Sequence, residues 1–220
     1  MPTHFVLLVA LLIGRVRADS ALTKAIKTRQ ETEDVLALIT ADECSAKDTN
    51  GMVALHIAAA YRAPEPVVAK LLELCPESPR IKDEVNGMLP LHYAVKDGAS
   101  KASIKAMIAA HPDALSTRDD LERMPLHRAA IQKASEAVAA MLIKRYPQAL
   151  EQADINGDLP LHHAAENKAP TTTLSKMITA YAEALTTRNH GGRLPRELAN
   201  DDGKKALEQA EAESKRKDEV

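Results

Sequence analysis

Apolar residues recur along this chain at helical spacing, in pairs of short segments divided by polar breaks. Leu174, Met177, Ile178 and Tyr181 share one helical face. So do Ile104, Met107 and Ile108; Val138, Met141 and Leu142; and Val67, Val68, Leu71 and Leu72. These stripes predict helices that stop near Pro76, Pro112 and Pro147, because proline cannot continue the helical hydrogen-bond ladder. Thr171–Thr173 offer capping hydroxyls ahead of one of them. Before each stripe lies a shorter, Ala-rich segment. Pro90, Pro125, Pro160 and Pro195, spaced by 35 residues, each open such a segment at a first helical turn.

The shorter segments share a phrase. It reads Ala54-Leu55-His56-Ile57-Ala58, Pro90-Leu91-His92-Tyr93-Ala94, Pro125-Leu126-His127-Arg128-Ala129 and Pro160-Leu161-His162-His163-Ala164. The histidines stand 36, 35 and 35 residues apart, the signature of a repeat array. Asn50-Gly51, Asn86-Gly87 and Asn156-Gly157 precede three of the phrases and predict tight primed turns, which need φ > 0 at both central residues. Gly191-Gly192 takes that place later. Each unit thus reads as finger, helix, turn, helix. No unit buries its apolar stripe alone, so about three or more must stack.

This pattern resembles the ankyrin-repeat family, whose signature is Thr-Pro-Leu-His-x-Ala on a period of about 33. The resemblance runs over roughly residues 20–210. It implies an all-α fold, an α-solenoid of helix-turn-helix units with hairpin-like fingers. The period here is longer, and the extra residues are placed between the two helices of a unit. Apolar Val53, Leu89, Met124, Leu159 and Leu194 replace the usual threonine, removing a capping hydroxyl. The implied divisions are an apolar segment (1–18), an N-terminal capping unit (19–47) and four repeats (48–82, 83–118, 119–153, 154–188). A C-terminal capping unit (189–215) and a charged tail (216–220) follow. The first cap carries helices at Ser20–Lys27 and Glu33–Ala41; the last keeps Pro195 but puts Glu197 where histidine stood, before a polar helix at Lys204–Lys215.

Composition sharpens this. Hydrophobic residues make up 45% but aromatics only 2%, so the core is aliphatic. Twenty-nine basic against 31 acidic residues give a formal charge of −2, without the basic excess of a nucleic-acid binder. Cys44 and Cys75 are too few for a disulfide framework or a Cys-rich zinc site. They read as two reduced thiols, with one bridge open to them only in an oxidising compartment. Phe5–Ile13 is an apolar run too short to span a bilayer. It is either an extra helix on the open end of the array or a signal peptide cleaved before Asp19. The end Lys217-Asp218-Glu219-Val220 approaches an ER-retrieval tetrapeptide but ends in valine, and reads as a solvated tail.

Candidate chemistry is thin. Equivalent residues of packed helices sit about 8–10 Å apart, whereas zinc needs every ligand at about 2.0–2.1 Å. His56, His92, His127 and His162 therefore cannot share one ion. The family resemblance gives them a structural role, hydrogen-bonding finger backbone between units. His163 and Glu166, three residues apart, read as an exposed pair without a third partner of catalytic type. Asp154–Asp158 begins like a calcium loop, but Leu159 and Ala165 occupy the positions that need Gly and Glu. Glu122 replaces a finger glycine, at a strain of about 1 kcal/mol if φ stays positive.

The expectation is therefore a non-enzymatic protein-interaction module, monomeric and cytoplasmic, binding neither metal nor cofactor nor nucleic acid. A secreted form lacking residues 1–18 is the alternative. A metal enzyme using His163 and Glu166 is a third class. The resemblance places partner contacts on the concave face of fingers and first helices: Met52, Tyr61, Met88, Lys96, Asp97, Leu121, Arg123, Ile131, Gln132, Ile155, Asp158, Glu166 and Asn167. Met52, Tyr61, Met88 and Ile131 are expected toward solvent, with Tyr61 and Met88 near the centre of the contact.

Overall fold

The computed structural model of the chain describes residues 20–218. The segment 1–18 and the terminal Glu219-Val220 pair lie outside the described residues. Thirteen α-helices and no strand are found among the described residues. They fall into two compact units that divide at Pro112/Asp113.

The first unit contains α1 (Ala21–Lys27), α2 (Thr32–Leu38), α3 (Ala41–Ser45), α4 (Ala54–Ala60), α5 (Glu65–Leu74), α6 (Pro90–Asp97) and α7 (Lys101–Ala110). The second contains α8 (Pro125–Ile131), α9 (Glu136–Arg145), α10 (Pro160–Glu166), α11 (Thr171–Ala180), α12 (Pro195–Leu198) and α13 (Asp201–Asp218). Inner helices stack on inner and outer on outer. In the first unit α1 packs on α4 and α4 on α6, while α2 packs on α5 and α5 on α7. In the second α8 packs on α10 and α10 on α12, while α9 packs on α11 and α11 on α13.

The sequence explains this layering. Inner helices begin at Pro90, Pro125, Pro160 and Pro195, where a missing N–H costs nothing. Their leucines are sealed: Leu55, Leu91, Leu126 and Leu161 are at most 2% exposed. Ala58, Ala94, Ala129 and Ala164 beside them are also buried, and such small side chains allow close helix approach. The outer stripes bury Val67, Val68 and Leu71; Ile104, Met107 and Ile108; Val138 and Leu142; and Leu174, Met177 and Ile178.

Three expectations are corrected. The cap's second helix is broken in two, because the Thr40 hydroxyl accepts the Glu43 N–H at 3.3 Å and starts a fresh helix, α3. The Asn-Gly turns are not primed. Gly51, Gly87 and Gly157 have φ of 74°, 62° and 76°, while their asparagines are not in the left-handed region. The spacing of 36 arises in the second finger: Asp83 precedes its histidine by nine residues, whereas Asp48, Asp119 and Asp154 precede theirs by eight.

The cysteines are also paired rather than reduced. Cys44 in α3 forms a disulfide with Cys75 at the end of α5, with Cα atoms 6.3 Å apart. Their separation of 31 residues hid the pairing, which depends on how the cap folds back along α5.

Candidate functional site

Each inner-helix histidine lies at the third helical position, where its ring reaches back over the helix start. The Nδ1 atoms of His56, His92, His127 and His162 accept the backbone N–H of Val53, Leu89, Met124 and Leu159 at 3.1–3.2 Å. That is the reciprocal half of a capping box; with no hydroxyl at these sites, the histidine's own N–H turns to the carbonyl of the residue before the helix, as His56 does to Val53 at 2.9 Å. An accepting Nδ1 leaves the proton on Nε2, which can then donate. Nε2 donates forward to the next finger: His56 to the Met88 carbonyl (3.1 Å), His127 to Gln152 (3.0 Å) and His162 to Arg193 (3.2 Å). All four rings are fully buried.

The accepting bond at Nδ1 requires a neutral ring. Burial holds His56 down at about 4, against the pull of the Met88 carbonyl and of Asp83 and Asp48. Burial likewise holds His127 at about 4, and its neighbour His163 pushes the same way. His162 is lowered by burial too. In the last unit Glu197 takes the histidine's place, and its carboxylate accepts the Leu194 N–H at 2.7 Å. A carboxylate cannot donate onward, and no further finger follows among the described residues.

The fingers are organised by an aspartate that sequence reasoning did not single out. Asp48 Oδ1 accepts the N–H groups of Asn50 and Met52, and Asp154 Oδ1 those of Asn156 and Asp158, at 2.8–3.1 Å. Asp119 Oδ1 holds Leu121 and Arg123, and Asn189 fills the role in the last finger through the Arg193 N–H. In the longer second finger Asp83 holds Val85, Asn86 and Met88. The readable signal was an Asp or Asn at a nearly fixed distance before the histidine position, a residue that caps turns through its own side chain. Because this scaffold is kept in the third finger, Glu122 is held at φ 56°.

The residue after each of His92, His127 and His162 faces the finger aspartate of its own repeat. Tyr93 Oη donates to Asp83 Oδ2 at 3.4 Å. Arg128 forms a buried ion pair with Asp119. His163 Nε2 lies 2.9 Å from Asp154 Oδ2, where the Arg123 guanidinium also donates at 2.8 Å. Burial alone would raise the Asp154 carboxyl, but Arg123, His163 and the finger N–H groups hold it at about 2.

His163 is therefore not exposed, as had been expected; it is 4% exposed and turned to Asp154, while Glu166 faces solvent. The structure does not bring the two together. Asp154, Asp158 and His163 do bring ligand-type atoms within 4.8 Å. Each already serves a finger: Asp154 and His163 as above, and Asp158 Oδ1 accepts from the Asn189 amide at 2.7 Å. The cluster reads as finger scaffolding.

Of the residues expected at a partner surface, Tyr61, Leu121, Gln132, Ile155 and Glu166 are exposed. Met52, Lys96, Asp97, Arg123, Ile131, Asp158 and Asn167 are half-buried. Arg123 and Asp158 hold neighbouring fingers, Asn167 donates to the His163 carbonyl, and Lys96 sits 5.5 Å over the Tyr93 ring. Met88 is a correction: it is 3% exposed. Its N–H is taken by Asp83 and its carbonyl by His56, so the finger base is drawn against α4 and the side chain goes inward with it.

Within each unit, stacked helix pairs carry fingers fixed by an acidic or amide side chain and linked by neutral histidines. That defines a helical-repeat scaffold, an α-solenoid. A family model described as ankyrin repeats (3 copies) matches residues 55–150 and 91–174. The chain belongs to the ankyrin-repeat family. Among solved structures it is similar to the ankyrin repeat domain of Bcl-3, described as a unique member of the IkappaB protein family. That likeness has 20% identity and a TM-score of 0.66, over 85% of this chain and 79% of that one. It is also similar to a chain from a complex of a predatory endopeptidase of Bdellovibrio bacteriovorus with an immunity protein. There the identity is 20% and the TM-score 0.68, over 88% of this chain and 99% of that one. A search of curated proteins finds no match. Ankyrin repeats are generally protein–protein interaction modules. No helix among the described residues is long and apolar enough to cross a membrane.

Proposed function

We propose that this chain is a non-catalytic scaffold that binds a protein partner on its finger tips and on the exposed ends of its inner helices. One observation carries the reading. Among the described residues the exposed large apolar side chains are Tyr61 (40%), Val85 (59%), Leu121 (42%) and Ile155 (51%). Three stand at finger tips, and Tyr61 caps the end of inner helix α4. Grouped exposed apolar residues mark contact surfaces. In the second unit Leu121 and Ile155 occupy neighbouring fingers joined by a backbone bond, Ile155 N–H to the Leu121 carbonyl at 3.1 Å. This pair replaces Met88 as the centre of the proposed contact.

The test is affinity for a partner isolated with the native chain. Leu121→Arg with Ile155→Arg should weaken it at least about tenfold, the order expected for loss of an apolar anchor. Lys144→Glu on outer helix α9 should leave it unchanged. Equal binding by both variants would reject the finger placement.

A second reading is favoured by the Cys44–Cys75 bridge: the chain acts in an oxidising compartment after loss of residues 1–18. The intact mass of the protein from its native cells tests this. A mature chain starting at Asp19 supports it; retention of residues 1–18 rejects it.

A further inference from the structure

The junction between the N-terminal cap and the first repeat lacks the link that the repeats use. Thr23 stands 33 residues before His56, in the same place of its helix, two residues after the helix start. Its hydroxyl turns back to the Ser20 carbonyl at 3.1 Å, within its own helix start. The cap buries Leu22, Ile26, Val35 and Ile39, an apolar and non-directional attachment. Its covalent fastening is Cys44 of α3 to Cys75 at the end of α5, beside an exposed ion pair from Lys47 to Glu84 at 3.0 Å.

The fastening is also one-sided. At the opposite end of α5 the contact is apolar: Ile26 and Val35 of the cap and Ala63 and Val67 of the first repeat, all buried, line a surface groove of about 310 Å³. The cap is bonded covalently at one end of a ten-residue helix and held by apolar packing at the other.

We propose that the Cys44–Cys75 disulfide is a redox-operated latch on the cap. The reductant is a dithiol. One of its thiolates attacks the sulfur of Cys75, a residue 9% exposed against 1% for Cys44, and the Sγ–Sγ bond breaks with Cys44 leaving as a thiolate that takes up a proton. The second thiol of the reductant then displaces Cys75 from the mixed disulfide, so the protein gains two thiols and the reductant becomes a disulfide. Residues 21–46 then open on their own, because no histidine link holds them. The repeats keep theirs. The opening uncovers the apolar faces of α4 and α5 on which the cap sits. This inference does not rest on the finger-tip reading.

Hydrogen exchange of the full chain, oxidised and after dithiothreitol, tests the latch. Amides of residues 21–46 should exchange at least about tenfold faster after reduction, while those of α7 and α11 stay unchanged. A Cys44→Ser, Cys75→Ser double variant should match the reduced chain and ignore dithiothreitol. Unchanged exchange in residues 21–46 would overturn the proposal. So would an equal rise along the whole chain, which would make the bridge a general stabiliser rather than a latch.

Discussion

Mild acid should unfasten this protein through its buried histidines before it touches the carboxylates. His56 and His127 are held at about 4, against 6.5 for a free imidazole. Between those values the unfolded chain takes up protons that the folded chain refuses. Stability is therefore complete above about pH 6.5 and falls as the pH drops toward 4. At pH 5 the loss is about 2 kcal/mol for each of the two histidines, about 4 kcal/mol together. His162 adds to it in the same direction. The cause is geometric. A proton on Nδ1 would abolish the acceptor for the helix-start N–H, in a ring already surrounded by protein. Urea unfolding at pH 7 and pH 5 measures the difference, with the slope checked for a constant unfolding surface. The matched control is His127→Gln, which should unfold more easily at pH 7 but lose about 2 kcal/mol less on going to pH 5. Equal stability at the two pH values, or an undiminished acid loss in the variant, would refute the neutral-link account.

Other expectations concern the fingers. Arg128→Met leaves the buried Asp119 carboxylate without its cation and should cost about 3–5 kcal/mol in urea unfolding. Arg128→Met with Asp119→Asn should recover part of that loss, because no buried charge remains. Glu122→Gly relieves a non-glycine residue at φ 56° and should raise stability by up to about 1 kcal/mol, read as a higher urea midpoint. Asp154, held at about 2 against an ordinary 3.8, adds stability that is complete above about pH 3.8 and lost as the pH falls through 2. Asp154→Asn should thus change the acid-unfolding curve below pH 3.8 and leave the His56 step in place, while His127, losing a carboxylate that raises it, is held lower still.

What the sequence discloses is whatever repeats in register. The prolines at N1, the buried leucines and the helical stripes recur at one interval, and each is a local demand that local residues meet. What it withholds depends on side chains meeting across loops. Ile57, Tyr93, Arg128 and His163 share nothing chemically, so no pattern marks them as one position. Only the folded chain shows that three of them answer the same finger aspartate. Met88 and Met52 look equivalent, each following a finger glycine. Yet Met88 is buried beneath the His56 link, while Met52 follows a cap that has no such histidine and stays half-buried. The exceptions follow one rule. A histidine is required where a helix start must be capped and the next finger held by the same ring. Where no further finger follows among the described residues, Glu197 supplies the acceptor alone. Where the cap offers Thr23 instead of histidine, a disulfide at the far end of the outer helix supplies the missing attachment. Among the described residues the two outer units thus depart from the repeat in opposite ways, one accepting a hydrogen bond without donating onward and the other holding by a bond that a reductant can cut.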